Sequence, residues 1–163
     1  MNFKLEKMED VTRITDYTVS NNTMAIFDYD YKGQLSSFIL EKNKRLFIKK
    51  KPLQLIRESC RHYGLSYKER VRQTRRYFRQ SHKLPILLTY TQMKPCIFFP
   101  LYSARAFENA WLNLYAIRNM KATDKHCTVL LEDEWVPLPA TANVFKKQYT
   151  IANLYARNVE HHM

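Results

Sequence analysis

Glycine is almost missing from this chain: Gly33 and Gly64 are the only two in 163 residues. That scarcity excludes the glycine-rich loops that cradle nucleotide phosphates. Cysteine is also sparse. Cys60, Cys96 and Cys127 are odd in number, far apart and outside any CxxC spacing, which argues against a disulfide scaffold or a structural zinc site. No apolar run approaches the ~20 residues needed to span a bilayer; CIFFPLY is among the longest. The opening MNFKLEKMEDV has no basic segment followed by an apolar stretch, as a secretory leader requires. These absences read as a reduced, cytoplasmic protein with no membrane attachment, metal or cofactor. Acidic residues are the remaining shortage. Against 27 Lys and Arg stand 15 Asp and Glu, a net charge of +12, with the isoelectric point near 9.7. A field of that sign gathers polyanions.

What is present is an ordinary 45% apolar content, enough at this length for one domain with a real core. Residues 1–11 read as a ragged start. Tyr17 to Ile48 reads as a strand meander with turns at Asn21-Asn22, Lys32-Gly33 and Lys42 to Arg45. Pro52 suits a helix start, Leu53, Ile56, Cys60 and Tyr63 follow at helical spacing, and Gly64 suits its end. Ser66 with Glu69 forms a capping-box pattern for a second helix. LPILLTY, KPCIFFP, AWLNLYAI, TVLLED and EWVPLP read as strands, and NVFKKQYTIANLYAR as a closing amphipathic helix. The expected fold is α+β: a single domain rich in antiparallel strands, with two consecutive helices near the middle and a C-terminal helix.

The second helix carries the densest charge. In YKERVRQTRRYFRQSHKLPI, six cations (Lys68, Arg70, Arg72, Arg75, Arg76, Arg79) fall within twelve positions, followed by His82 and Lys83. On a helix, Tyr67, Val71, Thr74 and Phe78 make a narrow apolar seam. Lys68, Arg72, Arg75 and Arg79 recur one residue on as a cationic ridge, Arg76 widens it, and Arg70 lies elsewhere on the wheel. Like charges four apart repel, and Glu69 is the sole acid in the stretch, so a polyanion partner fits better than a merely solvated face. The seam is too thin for membrane-surface binding. Arginine's planar fork favours phosphates and base edges. Lys49 to Lys51, Arg57 and Arg61 add charge upstream, with Lys121 and Lys125 as a second footing near a later turn.

Catalytic patterns are weak. Asp28 and Asp30 share a strand face and permit a metal-dependent nuclease reading. Their position beside a turn is equally that of solvated acids. Cys60 with His62, and Cys127 with His126, are sequence neighbours without the spatial contact a nucleophile–base pair needs. The chain reads as a binding protein rather than an enzyme.

KPLQLIRESCRHYGLSYKER, SHKLPI, IFFPLYSAR and WLNL together resemble the competence transcription factor family, ComK. The resemblance rests on Lys51-Pro52, Ser59-Cys60, Gly64, Ser66-Tyr67, Arg70, Thr74, Ser81 to Lys83, Pro85-Ile86, Phe98 to Pro100, Ser103 and Trp111. It implies a DNA-binding domain over residues 12–160 of a cytoplasmic, nucleoid-associated activator of DNA-uptake genes. It further implies binding as a homodimer or higher oligomer to double-stranded DNA with A/T-rich boxes, and levels held down through a Clp protease adaptor. Narrow A-tract minor grooves attract inserted arginine. The expected DNA contacts are Arg70, Arg72, Arg75, Arg76, Arg79, His82, Lys83, Lys121 and Lys125. The chain departs from the family pattern at Glu69, where glycine is usual, and at Leu101, where threonine is. It also stops at Met163, short of longer members, so a modulator of a full-length activator is one alternative and a nonspecific RNA or single-strand binder another. A shorter similarity links WLNLYAI, VLLEDEWVPLP and VFKKQ to the end of the LytTR DNA-binding domain, and no contact residue is carried over from it.

Overall fold

The computed structural model describes residues 10–79, 82–91 and 94–161. Most of the expected ragged start and Ser81 lie outside them. Ten strands and three helices are present among the described residues: β1 (Val11–Ile14), β2 (Thr23–Tyr31), β3 (Gln34–Glu41), β4 (Lys44–Ile48), α1 (Pro52–His62), α2 (Tyr67–Arg75), β5 (Ile86–Thr91), β6 (Lys94–Pro100), β7 (Ala110–Asn113), β8 (Ile117–Ala122), β9 (Cys127–Leu131), β10 (Glu134–Leu138) and α3 (Ala142–His161). The fold is α+β. A seven-stranded sheet runs β1-β4-β3-β2-β7-β6-β5, and a three-stranded sheet runs β10-β9-β8.

Turn chemistry sets the hairpins. Lys32 and Gly33 both take positive φ, the geometry of a tight hairpin turn, and Tyr31 pairs with Gln34 across it. Asn43 and Glu132 hold positive φ in the next two-residue turns. The latter places the β9–β10 turn at Glu132-Asp133.

The helices start and stop where their residues dictate. Pro52 opens α1 at its first position, where a missing N–H costs nothing. At its end the Gly64 N–H donates to the Arg61 carbonyl and the Leu65 N–H to Cys60, a Schellman closure with Gly64 at φ 97°. No atom crowds the space a Cβ would fill there, so Gly64→Ala isolates the backbone cost. It is expected to lower stability by about 1 kcal/mol, read as a shifted denaturation midpoint; an unchanged midpoint would refute the left-handed cap. Ser66 caps α2, its Oγ accepting from the Glu69 N–H.

Alternation along the strands sends side chains to two cores on opposite faces of the large sheet. Ile26, Ile39, Phe98 and Trp111 meet Leu55, Ile56 and Cys60 of α1 on one face. Phe27, Phe38, Phe99 and Leu112 meet β9, β10 and α3 (Val129, Val136, Phe145, Tyr155) on the other. The result is three layers: helices α1 and α2, the large sheet, then the small sheet with α3. Ser59 and Tyr63 fasten α1 to the segment before β2: the Val19 N–H donates to Ser59 Oγ (2.9 Å) and the Tyr63 hydroxyl to the Val19 carbonyl (2.8 Å).

Three expectations need correction. AWLNLYAI is not one strand, because a 3-10 turn at Leu114–Ala116 divides it between the two sheets. Asn113 makes the break: its Nδ2 donates to the Thr23 carbonyl (3.0 Å) while its Oδ1 accepts from the Tyr115 N–H (3.0 Å). Tyr17 and Val19 lie outside strands, and the first strand is instead β1, paired parallel with β4. The second helix ends at Arg75, so the expected ridge does not continue helically to Arg79.

Candidate nucleic-acid interface

α2 lies at the β5 end of the large sheet and straddles it. Tyr67 and Val71 pack with the α1-side core, whereas Phe78, just past the helix, packs with the opposite core. Tyr77 and Phe78 both lie against Tyr155 of α3, with ring centroids 5.9 and 6.4 Å away. Thr74 is fully buried, and its hydroxyl donates to the Pro85 carbonyl at 2.7 Å, tying α2 to the start of β5. Gln148 of α3 is likewise buried and bridges the same corner, donating to the Lys83 carbonyl (2.7 Å) and the Pro100 carbonyl (2.9 Å).

This anchoring turns most of the expected cations outward. Lys68, Arg72 and Arg75 are exposed along α2, and Arg76 and Arg79 are exposed just beyond its end. Arg72 donates to Glu69 Oε1 at 2.7 Å, a solvent-exposed pair of small energetic weight. His82 and Lys83 are exposed on the approach to β5.

Arg70 behaves differently. It is only 9% exposed, with Nη1 3.4 Å from the Gln73 side-chain oxygen and a buried Nε that has no hydrogen-bond partner among the described residues. Its guanidinium faces the interior near Cys60 and Tyr155. It therefore leaves the exposed set and supports the helix from behind. Lys121 and Lys125 belong to the small sheet and its β8–β9 turn, and both are exposed. Lys121 Nζ sits 4.2 Å from the Trp135 ring centroid, a cation–π contact that holds it on that sheet.

Sequence reasoning gave Arg105 no role, although it ends the stretch IFFPLYSAR. It is exposed on the β6–β7 loop and lines a cleft of about 610 Å³ together with Lys51, Arg57, Asp28, Asp30 and Phe107. Phe107 is 79% exposed. The Arg57 guanidinium lies 5.7 Å from the Tyr67 ring centroid, linking this cleft to the start of α2.

Among the described residues no group of three or more His, Cys, Asp or Glu is placed to hold a metal ion. Asp28 is half-buried and accepts from the Asn109 N–H at 2.8 Å, a bond that holds the loop to β2. Burial raises its carboxyl above the usual range. All three cysteines are buried, and burial pushes the Cys60 thiol up to about 11 and Cys96 to about 12, leaving both protonated and unreactive. No helix among the described residues is long and apolar enough to cross a membrane.

A family model described as ComK protein matches residues 14–163. The chain belongs to the ComK family. A competence transcription factor of Bacillus subtilis (strain 168) is 28% identical over 137 residues, which cover 83% of this chain and 70% of that protein. No solved structure matches. Both departures from the ComK pattern have local reasons. Glu69 sits in the first turn of α2, where an acid complements the helix N-terminus. Leu101 is fully buried in the core facing α3, where threonine's hydroxyl would need a partner. Other ComK-pattern residues serve the fold: Ser59 and Thr74 are buried and hydrogen-bonded, Gly64 closes α1 and Ser66 caps α2.

Proposed function

We propose that this ComK-family chain is a sequence-specific DNA-binding activator of competence genes. It acts in the cytoplasm on the nucleoid, as a homodimer or higher oligomer, at promoters with A/T-rich boxes, and its level is set through a Clp protease adaptor. The observation that supports this reading most is the row of outward cations along α2 and its end, carried on a rigid sheet edge. Arg72, Arg75, Arg76 and Arg79 contact phosphate or enter the minor groove, with His82 and Lys83 beside them and Lys121 and Lys125 as a second footing. Arg70 acts by positioning α2. Phosphate contacts supply affinity and register, while arginine in a narrow A-tract groove supplies sequence preference.

Affinity is to be measured for a duplex holding an A-run and a T-run, a scrambled G/C-rich duplex and a single-stranded RNA, across a salt series. The boxed duplex should be preferred by roughly 10³-fold or more. Equal affinity for all three would replace this reading with nonspecific polyanion binding.

A further inference from the structure

Arg57 of α1, Arg75 of α2 and Arg105 of the β6–β7 loop are exposed and come from three separate elements. Arg57 stands over the Tyr67 ring, and Arg57 and Arg105 line one cleft. Burial raises the Tyr67 hydroxyl above its ordinary range, and Arg57, Arg75 and Arg105 each oppose that rise, so all three guanidiniums lie within electrostatic reach of that oxygen. Arg57 and Arg105 bring two like charges to one cleft. The arrangement gains when a dianionic or monoanionic oxygen cluster joins them, with Tyr67 as a further donor.

The same cleft also holds acids, with Lys51 among its lining. Asp30 and Glu108 line it with Asp28, and Asp28 is already engaged by the Asn109 N–H. We propose that Arg57 and Arg105 grip one backbone phosphate of bound duplex DNA beside Tyr67, so that the footprint extends from α2 across α1 to the β6–β7 loop; this rests on the duplex-binding reading. The occupant is a phosphodiester because Arg57 stands over Tyr67 at the start of α2, so the site adjoins the α2 row and one polyanion satisfies both.

The test is fluorescence anisotropy with the A-run/T-run duplex across a salt series, using Arg57→Ala, Arg105→Ala and Tyr67→Phe. Lys42→Ala serves as control, since Lys42 follows β3 at the end opposite the Leu35 that lines the cleft, about 20 Å away by strand rise. Circular dichroism confirms that each variant is folded. Each arginine variant should weaken binding roughly fivefold at moderate salt and lower the log–log salt slope by about 0.9. Tyr67→Phe should weaken binding without changing the slope, and Lys42→Ala should change neither. Unchanged slopes in both arginine variants, with tight boxed-duplex binding intact, would overturn the grip and leave the DNA-binding reading standing. A wild-type chain that fails to bind the duplex would overturn both.

Discussion

Replacing Arg72, Arg75, Arg76 and Arg79 together by alanine is expected to lower affinity for the boxed duplex by about 10³-fold and to flatten the log–log salt slope by about 3.6, one 0.9 step for each lost phosphate contact. The same change should leave the fold intact. All four side chains are exposed, and Arg76, the C-cap of α2, caps through its backbone N–H; surface substitutions that spare the core usually stay within ~0.5 kcal/mol. The Arg72–Glu69 pair is lost, but it is solvent-exposed and worth at most about 1 kcal/mol. Against that loss, alanine is the best helix former, and like-charge repulsion along α2 disappears. The thermal midpoint should therefore hold steady or rise while DNA binding collapses. Anisotropy titrations and a melting curve on the quadruple variant decide it. Retained affinity with a normal slope would mean that the helix is only a solvated face.

The second large effect falls on stability. Trp111 is 1% exposed on β7, paired with Ile26 of β2 on one side and Pro100 of β6 on the other. It thus lies at the middle of the seven-stranded sheet, in the core that receives α1. Trp111→Ala leaves a cavity that strands on both sides hold open, and it should cost about 3–5 kcal/mol. That is a large part of the 5–15 kcal/mol typical of a whole domain, and at roughly 2–4 °C per kcal/mol it lowers the melting midpoint by about 6–20 °C. Phe107→Ala is the matched comparison. That ring is 79% exposed, so its removal should leave the midpoint within about 2 °C. Equal midpoints for the two variants would refute the packing described for the sheet centre.

Much of the fold was legible because its signals are local. Pro52, Gly64, the Ser66–Glu69 cap and the Lys32-Gly33 turn are each read from a few neighbouring residues, and each stands where expected. The missed features depend on distant partners. β1 is a polar VTRI segment with little alternation, and it becomes a strand through parallel pairing with β4, more than thirty positions along the chain. The division of AWLNLYAI needs Asn113 to reach the Thr23 carbonyl, 90 residues earlier.

The candidate interface divides the same way. The exposed row on α2 follows from its wheel, which also sets Arg70 apart from the ridge. That Arg70 is covered is a tertiary fact, set by how α2 packs against neighbouring elements. The end of α2 at Arg75 is tertiary as well, because Tyr77 and Phe78 leave the helix to meet Tyr155. Arg105 was present in a recognised stretch, yet its proximity to Arg57 and Tyr67 exists only once the β6–β7 loop folds back over α1.

The way α2 is fastened has a consequence for how such a protein changes over generations. Its inward positions, Tyr67, Arg70, Val71, Thr74 and Phe78, answer to packing and hydrogen bonding, whereas Lys68, Arg72, Arg75, Arg76 and Arg79 answer to solvent. The two sets interleave along thirteen residues, from Tyr67 to Arg79, without sharing a face. A lineage can therefore gain or lose outward cations one at a time while the scaffold stays as it is. On the proposed DNA-binding function, each step would alter the ionic strength at which the protein leaves DNA, so binding strength would drift in small graded increments rather than in leaps.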